Sequence, residues 1–180
     1  EAALFLSEGG ARATFAIWPE DWENRDPKRG CIKHWVRGPL EREIERGGFV
    51  FDSDVKFAVT PTRGRKPDVS VYFSGRTAPP RRGVLSDPPD IMVEVVSPSP
   101  ADERRDRVEK MDEYAAFRVH YYWLVDPALG SIEIFELDTG RFARSVAITT
   151  GTLRSVPGCP GMELDADQLW AELARLTANE

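Results

Sequence analysis

The stretch "PPDIMVEVVSPSPADERRDRVEK", residues 88–110, joins an apolar segment to a densely charged one. Residues 91–96 are apolar on both faces except at Glu94, and this continuity predicts a strand in the middle of a sheet. A Ser-Pro-Ser break follows, and its serines can cap a helix predicted over 101–118. An acid inside an apolar strand is costly without a partner, so Glu94 is the first candidate for a functional role.

Further strands and helices are predicted on both sides of this stretch. The predicted strands are 49–51, 55–59, 69–73, 121–125, 132–137 and 142–148, and the other predicted helices are 35–46 and 165–176. Turns at Gly130 and at Asp138-Thr139-Gly140 separate the last three strands, which indicates an antiparallel meander over 121–148. The order of the elements predicts an α/β fold of mixed α+β type, with a central mixed sheet flanked by helices.

Hydrophobic spacing predicts the buried face of each helix. In the first helix Trp35, Leu40 and Ile44 are expected to face inward, and Gly38-Pro39 suggests a firm start near Pro39. The other predicted inner faces are Val108, Met111, Tyr114, Ala115 and Arg118 in the second helix, and Leu169, Trp170, Leu173 and Leu176 in the last.

The length of 180 residues suits one domain, residues 1–180. It would comprise an N-terminal arm of uncertain structure (1–33), in which 13–18 could form a strand, a core (35–148) and a C-terminal helix (164–178). No apolar run is long enough to span a bilayer, and residues 1–6 do not resemble a signal peptide. We therefore expect a cytoplasmic protein with no membrane partner and with reduced cysteines at positions 31 and 159.

The net charge of −6 argues against a protein held to nucleic acid by a global positive field. Local basic clusters remain, and taken alone they are interpreted as solvated loops. The clusters are Lys28, Arg29, Lys33, His34 and Arg37; Arg63, Arg65 and Lys66; and Arg81 and Arg82.

Asp68 is the expected partner of Glu94. If 68–73 and 91–96 are antiparallel neighbours, the start of the first strand lies beside the end of the second, and the two carboxylates lie close together. Asp90 is about 13 Å back along the strand and belongs to its loop end, so it is interpreted as a strand-start residue. Two adjacent carboxylates need a proton or a cation between them, and oxygen-only ligands favour Mg²⁺ or Mn²⁺.

Lys110 lies on the helix that follows the Glu94 strand and could serve the pair. Asp106 precedes it by four residues, so the two can form an ion pair, and an exposed pair is the simplest interpretation of that spacing.

Four segments, in this order and at these spacings, resemble the Uma2 family (DUF820), which is assigned to the PD-(D/E)XK restriction-endonuclease-like nucleases. The segments are Pro67-Asp68-Val69, "PPDIMVEVVSPS", "RRDRVEKMDEY" and "YYWLVDP", and the resemblance covers 35–137. It implies a restriction-endonuclease-like core and a Mg²⁺- or Mn²⁺-dependent endonuclease that hydrolyses phosphodiester bonds, with nucleic acid, most simply DNA, as its partner.

The same resemblance implies roles for individual residues. Asp68 and Glu94 would bind the metal, and Lys110 would be the catalytic amine. The wider superfamily has its Lys two residues after the acid, where this chain has Val96, and in the Uma2-like branch the Lys comes from the following helix. The superfamily often adds an acid from the first helix, for which Glu41, Glu43 and Glu45 are candidates and Glu43 is our choice, and Asp90 and Asp106 are further candidate supporting residues.

Two other interpretations stay open. The chain could be a nuclease-fold binding or regulatory protein with little catalysis, or Glu94 could simply pair with Lys110 or an Arg while Asp68 caps a turn. No base-reading module is visible, and a homodimer is expected only by analogy with nucleases that cut two strands. Structural roles are expected for His34, His120, Tyr114, Tyr121, Tyr122 and Trp123.

Overall fold

The computed structural model describes residues 27–80 and 83–177, so the strand expected at 13–18 lies outside the described residues. The helices are α1 (Pro27–Leu40), α2 (Arg42–Glu45), α3 (Pro100–Arg104), α4 (Lys110–Ala116) and α5 (Ala166–Thr177), with a π-helical segment (Arg105–Glu109) between α3 and α4. The strands are β1 (Phe49–Asp52), β2 (Phe57–Ala58), β3 (Gly64–Arg65), β4 (Val69–Tyr72), β5 (Ile91–Val95), β6 (Tyr121–Asp126), β7 (Ser131–Asp138), β8 (Arg141–Ile148), β9 (Thr152–Leu153) and β10 (Leu164–Asp165).

The main sheet has six strands in the order β1-β4-β5-β6-β7-β8. Neighbouring strands are antiparallel except β5 and β6, which are parallel. The strand that carries Glu94, β5, has a hydrogen-bonded neighbour on each side, so its predicted central position is confirmed. The predicted meander is confirmed as well, because β6, β7 and β8 are consecutive antiparallel neighbours with one irregularity between Ile134 and Phe135.

Both faces of the central strands β4, β5 and β6 are buried, because successive side chains of a strand point to opposite sides and each side is covered. One apolar cluster joins alternate residues of β4 and β5 to α1 and α5, and includes Val69, Val71, Ile91, Val93, Ile32, Val36, Leu40, Leu169 and Leu173. The other joins the remaining residues of these strands to β2 and α4, and includes Tyr72, Met92, Phe57 and Tyr114. Glu94 lies between Met92 and Val96 on this second face, so the mixed sheet places its carboxylate beneath α4.

The first helix differs from the prediction. It includes Pro27–Leu40 instead of starting near Pro39, and Pro39 lies in its last turn, where its missing N–H removes one helix hydrogen bond and the helix ends one residue later. Leu40 is buried as expected, but Ile44 is 47% exposed. The reason is that the helix ends at Leu40 and a separate short helix, α2, turns Glu43 inward in place of Ile44.

The remaining predicted elements are shorter or slightly shifted. The strand expected at 55–59 is only β2, which pairs with β3 outside the main sheet. In α5 the inward positions of Leu169 and Leu173 are confirmed, whereas Leu176 is 39% exposed. The two cysteines are both unpaired. No helix among residues 27–80 and 83–177 has the length and apolar character to cross a bilayer.

Candidate active site

Asp68 lies at the start of β4, directly beside the end of β5. Its backbone N–H donates to the carbonyl of Val93 at 3.0 Å, and its Oδ2 accepts from the backbone N–H of Val95 at 2.8 Å. Val69 pairs with Val93 in the antiparallel register, so β4 and β5 bring Asp68 to the residues that flank Glu94. The strand pairing on which the predicted carboxylate pair depends is therefore confirmed.

Glu94 lies in the middle of β5 and is fully buried. Its Oε1 accepts a 2.7 Å hydrogen bond from the hydroxyl of Tyr114, and its Oε2 lies 2.8 Å from Lys110 Nζ. Burial raises the pKa of Glu94 to about 7, because desolvation disfavours the anion; Lys110 lowers the pKa and the nearby charge of Asp68 raises it. A carboxyl with this pKa is poised to respond to any added cation.

Lys110 bridges two buried acids. Its Nζ lies 2.7 Å from Asp106 Oδ1 as well as 2.8 Å from Glu94, and both Lys110 and Asp106 are buried. The i,i+4 ion pair that the spacing predicts is therefore present, but the expectation that it is exposed is wrong. Neither Asp106 oxygen has a hydrogen-bond partner among the described residues, so Lys110 at ion-pair distance is the main compensation of this carboxylate.

A π-helical turn brings these side chains inward. The backbone N–H of Lys110 donates to the carbonyl of Arg105, five residues back, which inserts one extra residue into the turn. The predicted 3.6-residue period places Val108 inside, and instead Val108 is 53% exposed. The shift in phase aims Asp106 and Lys110 at β5, and Tyr114, one turn further on, reaches the same carboxylate.

Two cations from α1 hold the Asp68 carboxylate. Arg29 donates from Nε to Oδ1 at 3.1 Å and from Nη2 to Oδ2 at 2.7 Å, and Lys33 Nζ lies 3.0 Å from Oδ1. Arg29 also donates to the hydroxyl of Ser97 at 2.6 Å, and Lys33 donates to that of Ser53 at 3.2 Å. The interpretation of this basic cluster as a solvated loop is wrong for these two residues.

The acids of the site are paired with cations of the protein itself. Asp68, Glu94 and Asp106 are faced by Arg29, Lys33 and Lys110, and Arg105 lies 3.9 Å from Asp106. Residues 27–80 and 83–177 contain no group of three or more Asp, Glu, His or Cys side chains placed to hold a metal ion. The donor set still fits a hard divalent cation, because two carboxylates come from adjacent strands and the buried Glu94 carboxyl is close enough for the charge of Asp68 to raise its pKa. A cation here would compete with the protein's own Arg29 and Lys33.

A model of a protein family described as "Uma2: Putative restriction endonuclease" matches residues 30–167. The chain belongs to the Uma2 family. The crystal structure of a protein described as a putative nuclease belonging to DUF820, from Anabaena variabilis, has the same fold, with a TM-score of 0.63, 15% sequence identity and coverage of 83% of each chain. The predicted restriction-endonuclease-like core is thereby confirmed, and no curated protein matches this chain.

Two other predicted residues of this Uma2 chain lie apart from the carboxylate pair. Asp90, at the loop end of β5, accepts from the backbone N–H of Phe73 at 2.8 Å and from Arg76 at 3.0 Å, as expected for a strand-start residue. Glu43 is buried in α2 and pairs with Arg46 at 2.9 Å. Among the described residues no hydrogen bond or ion pair joins Glu43 to Asp68 or Glu94. No contact therefore supports the expected role of Glu43 beside the carboxylate pair.

The sequence did not predict that three residues belong to the site: Arg29, Lys33 and Tyr114, which contributes its hydroxyl. A signal exists for the first two, because Arg29 and Lys33 are four residues apart and share one face of a helix with the buried Ile32, Val36 and Leu40, so they face the sheet. Starting the helix near Pro39 conceals that spacing. Tyr114 is in the core as predicted, and its hydroxyl, whose pKa burial raises well above the usual value, remains a donor to Glu94.

Proposed function

We propose that this Uma2 protein is an endonuclease that hydrolyses phosphodiester bonds in DNA with Mg²⁺ or Mn²⁺. Asp68 and Glu94 would hold the ion, and Lys110 would supply the catalytic amine. Membership of a family described as restriction endonucleases supports the reaction class. The nature of the metal, the choice of DNA and the residue roles belong to the proposal.

The observation that carries the proposal is the place of Lys110. A helix that follows β5 returns over the sheet, and its π-helical turn aims the Lys110 amine at the carboxylate of Glu94 at 2.8 Å. The lysine thus reaches the acid from a helix, although Val96 occupies the strand position where the wider superfamily has its lysine. Mid-helix π-helical turns are frequent at functional sites, because the inserted residue costs helix stability and is kept for what it positions.

The chain's own residues can perform the electrostatic part of phosphodiester hydrolysis. Asp68 and Glu94 would hold a divalent ion, which when bound would lower the pKa of water and offset charge on the phosphate. Lys110 would stabilise the negative charge that develops on the phosphate or orient the attacking water, and Asp106 holds the amine from its other side. Tyr114 fixes the second oxygen of Glu94, so that carboxylate has one orientation.

One observation favours the alternative, a nuclease-fold binding or regulatory protein with weak or no catalysis. Arg29 and Lys33 already neutralise Asp68, so the charge requirement for an ion is partly met by the protein. In that alternative, nucleic acid would bind without being cut, and metal would change neither binding nor stability.

Cleavage assays test the proposal. Plasmid and single-stranded DNA are incubated with the protein in Mg²⁺, Mn²⁺ or EDTA, beside Lys110→Ala and Glu94→Gln, and beside Lys66→Ala as a control for an exposed lysine. The proposal expects metal-dependent cleavage that Lys66→Ala retains and both site variants lose by at least about 100-fold, the scale of one electrostatic donor. Equal cleavage by wild type and Glu94→Gln, or none by wild type on DNA with either metal, would overturn it.

A further inference from the structure

Asp68 is the most heavily engaged side chain of the candidate site. Its Oδ1 contacts Arg29 Nε at 3.1 Å and Lys33 Nζ at 3.0 Å, and its Oδ2 contacts Arg29 Nη2 at 2.7 Å and the backbone N–H of Val95 at 2.8 Å. Asp68 itself is buried. A divalent ion that approached this carboxylate would meet two positive charges already in contact with it, so Asp68 can become a ligand only when at least one of these cations moves away.

Arg29 and Lys33 are able to move. Their side chains are 31% and 22% exposed, whereas the Asp68 side chain is 3% exposed, so the cations approach the acid from the solvent side. Their other contacts among the described residues are the hydroxyls of Ser97 and Ser53, which are neutral and readily exchanged for another acceptor. Long basic side chains that leave Asp68 would remain at the entrance of the site.

The charge balance suggests what would draw them away. The three acids already face Arg29, Lys33 and Lys110, and Arg105 lies 3.9 Å from Asp106, so adding a divalent ion alone would leave the site with an excess of positive charge. A phosphate group at the entrance would offset part of that charge. Arg29 suits this role because a guanidinium binds a phosphate through two parallel N–H donors, as it now binds Asp68.

We propose that Arg29 and Lys33 compete with the divalent ion for Asp68 and, once displaced, bind a phosphate of the nucleic acid. The inference rests on the proposed function. It adds two residues that bind nucleic acid, and it couples metal binding to their release from Asp68. Metal and nucleic acid then bind cooperatively, because each releases the same ion pairs, and the coupling is the same in both directions. Metal alone binds weakly, because Arg29 and Lys33 still occupy Asp68, so the site binds metal tightly only when nucleic acid is present.

Metal affinity in the absence of DNA tests the competition. Mn²⁺ is titrated into metal-free protein by isothermal calorimetry, for wild type, Arg29→Gln and Lys33→Gln. The control is Arg37→Gln, which removes the same charge from the same helix but pairs with Glu41 and Asp52. Both site variants should bind Mn²⁺ at least about 5-fold more tightly than wild type, and the control should not.

The affinity for nucleic acid tests the proposed binding of a phosphate by Arg29 and Lys33. Fluorescence anisotropy of a labelled DNA duplex is measured in Ca²⁺. This ion supplies the divalent charge at the site, so DNA binding can be measured separately from cleavage. Arg29→Gln and Lys33→Gln should bind the duplex at least about 5-fold more weakly than Arg37→Gln, and Arg29→Lys should fall between, because it keeps the charge but loses the paired donors. Near-ultraviolet circular dichroism shows whether each variant is folded. If Arg29→Gln is unfolded, Lys33→Gln alone tests the inference.

The outcomes separate this inference from the proposed function. Equal Mn²⁺ affinities in wild type and folded Lys33→Gln would overturn the inference, whatever the cleavage assay shows. Tighter Mn²⁺ binding with unchanged DNA binding would overturn the phosphate role. Tighter Mn²⁺ binding and weaker DNA binding without any cleavage would support the inference and overturn the proposed catalysis. No Mn²⁺ binding by any variant, with or without duplex, would overturn both.

Discussion

At the scale of single residues, Glu94 concentrates the electrostatic cost of the site. Its carboxyl is fully buried, next to a second acid, and its pKa is raised to about 7. Lys110 contacts both Glu94 and Asp106, and the more exposed Arg105 lies 3.9 Å from Asp106, so two buried acids share one buried base. Such a surplus is expensive for a merely structural cluster and is natural in a site that receives a cation.

The raised pKa makes stability depend on pH in a definite direction. Because the folded state binds the Glu94 proton more tightly than the unfolded state, this group stabilises the fold below its unfolded pKa and loses that contribution as pH rises toward 7. The shift from 4.5 to about 7 corresponds to about 3 kcal/mol. Glu94→Gln, which mimics the protonated acid, should match wild type near pH 4.5 and exceed it by up to that amount near pH 8. Urea denaturation across this range measures the difference, and a variant less stable than wild type at pH 8 would contradict the raised pKa.

Removing Lys110 should have the opposite effect. Lys110→Met would leave Glu94 and Asp106 buried without their shared cation, and breaking a buried pair in this way costs about 3–5 kcal/mol. The loss should be largest near pH 8 and smaller near pH 5, where Glu94 takes up a proton because its pKa is raised. The exposed Lys66→Met serves as a control in the same denaturation series, and equal stability of the two variants at pH 8 would contradict the buried bridge.

At the scale of elements, α2 and β4 pack closely around Gly48. Gly48 sits where a Cβ would collide with the backbone carbonyl of Tyr72 and lie 2.9 Å from that of Glu43. Backbone atoms cannot move aside as a flexible side chain can, so this position requires glycine.

Gly48→Ala should therefore destabilise the protein by about 1–3 kcal/mol. Gly38→Ala is the matched comparison, since Gly38 lies in α1 and a methyl group added there would meet no atom within 4 Å, so alanine should stabilise by about 0.5–1 kcal/mol. Thermal unfolding of the two variants would be compared with wild type. A Gly48→Ala variant as stable as Gly38→Ala would show that β4 and α2 are not packed as described.

The elements also show which parts of the fold the sequence can predict. Strand β5 and the meander follow from apolar runs and glycine turns, because burial and turn geometry act locally. The predicted start of α1 is wrong because Gly38-Pro39 looks like a boundary, and in the folded chain the apolar side of α1 outweighs that local signal. The π-helical turn could not be predicted, since a regular period assigns Val108 to the core and only contacts with β5 favour Lys110 there.

At the scale of the whole molecule, the nearness of Asp68 to Glu94 has a topological reason. Antiparallel pairing of β4 with β5 places Asp68 beside Glu94, and this follows once the two strands are recognised as neighbours. Arg29 and Lys33 come from a helix much earlier in the chain, with Asp68 separated from Arg29 by 39 positions. No local pattern connects these groups, so their pairing emerges only when the apolar side of α1 docks on the sheet.

The distribution of charge over the whole molecule explains how an acidic chain could bind a nucleic-acid substrate. The net charge is −6, yet the side of the site that faces solvent carries Arg29 and Lys33. Binding would then depend on a few local phosphate contacts and only weakly on salt, in contrast to proteins with a global positive field.

Joint binding of a divalent ion by Asp68 and Glu94 can be observed by anomalous diffraction from crystals grown with Mn²⁺ and a short DNA duplex. We predict one strong Mn²⁺ peak about 2.1 Å from an oxygen of each carboxylate, the distance of a small hard cation, with Arg29 or Lys33 moved from Asp68 to a phosphate. A map with duplex bound, no peak between Asp68 and Glu94, and both cations still on Asp68 would refute the metal site.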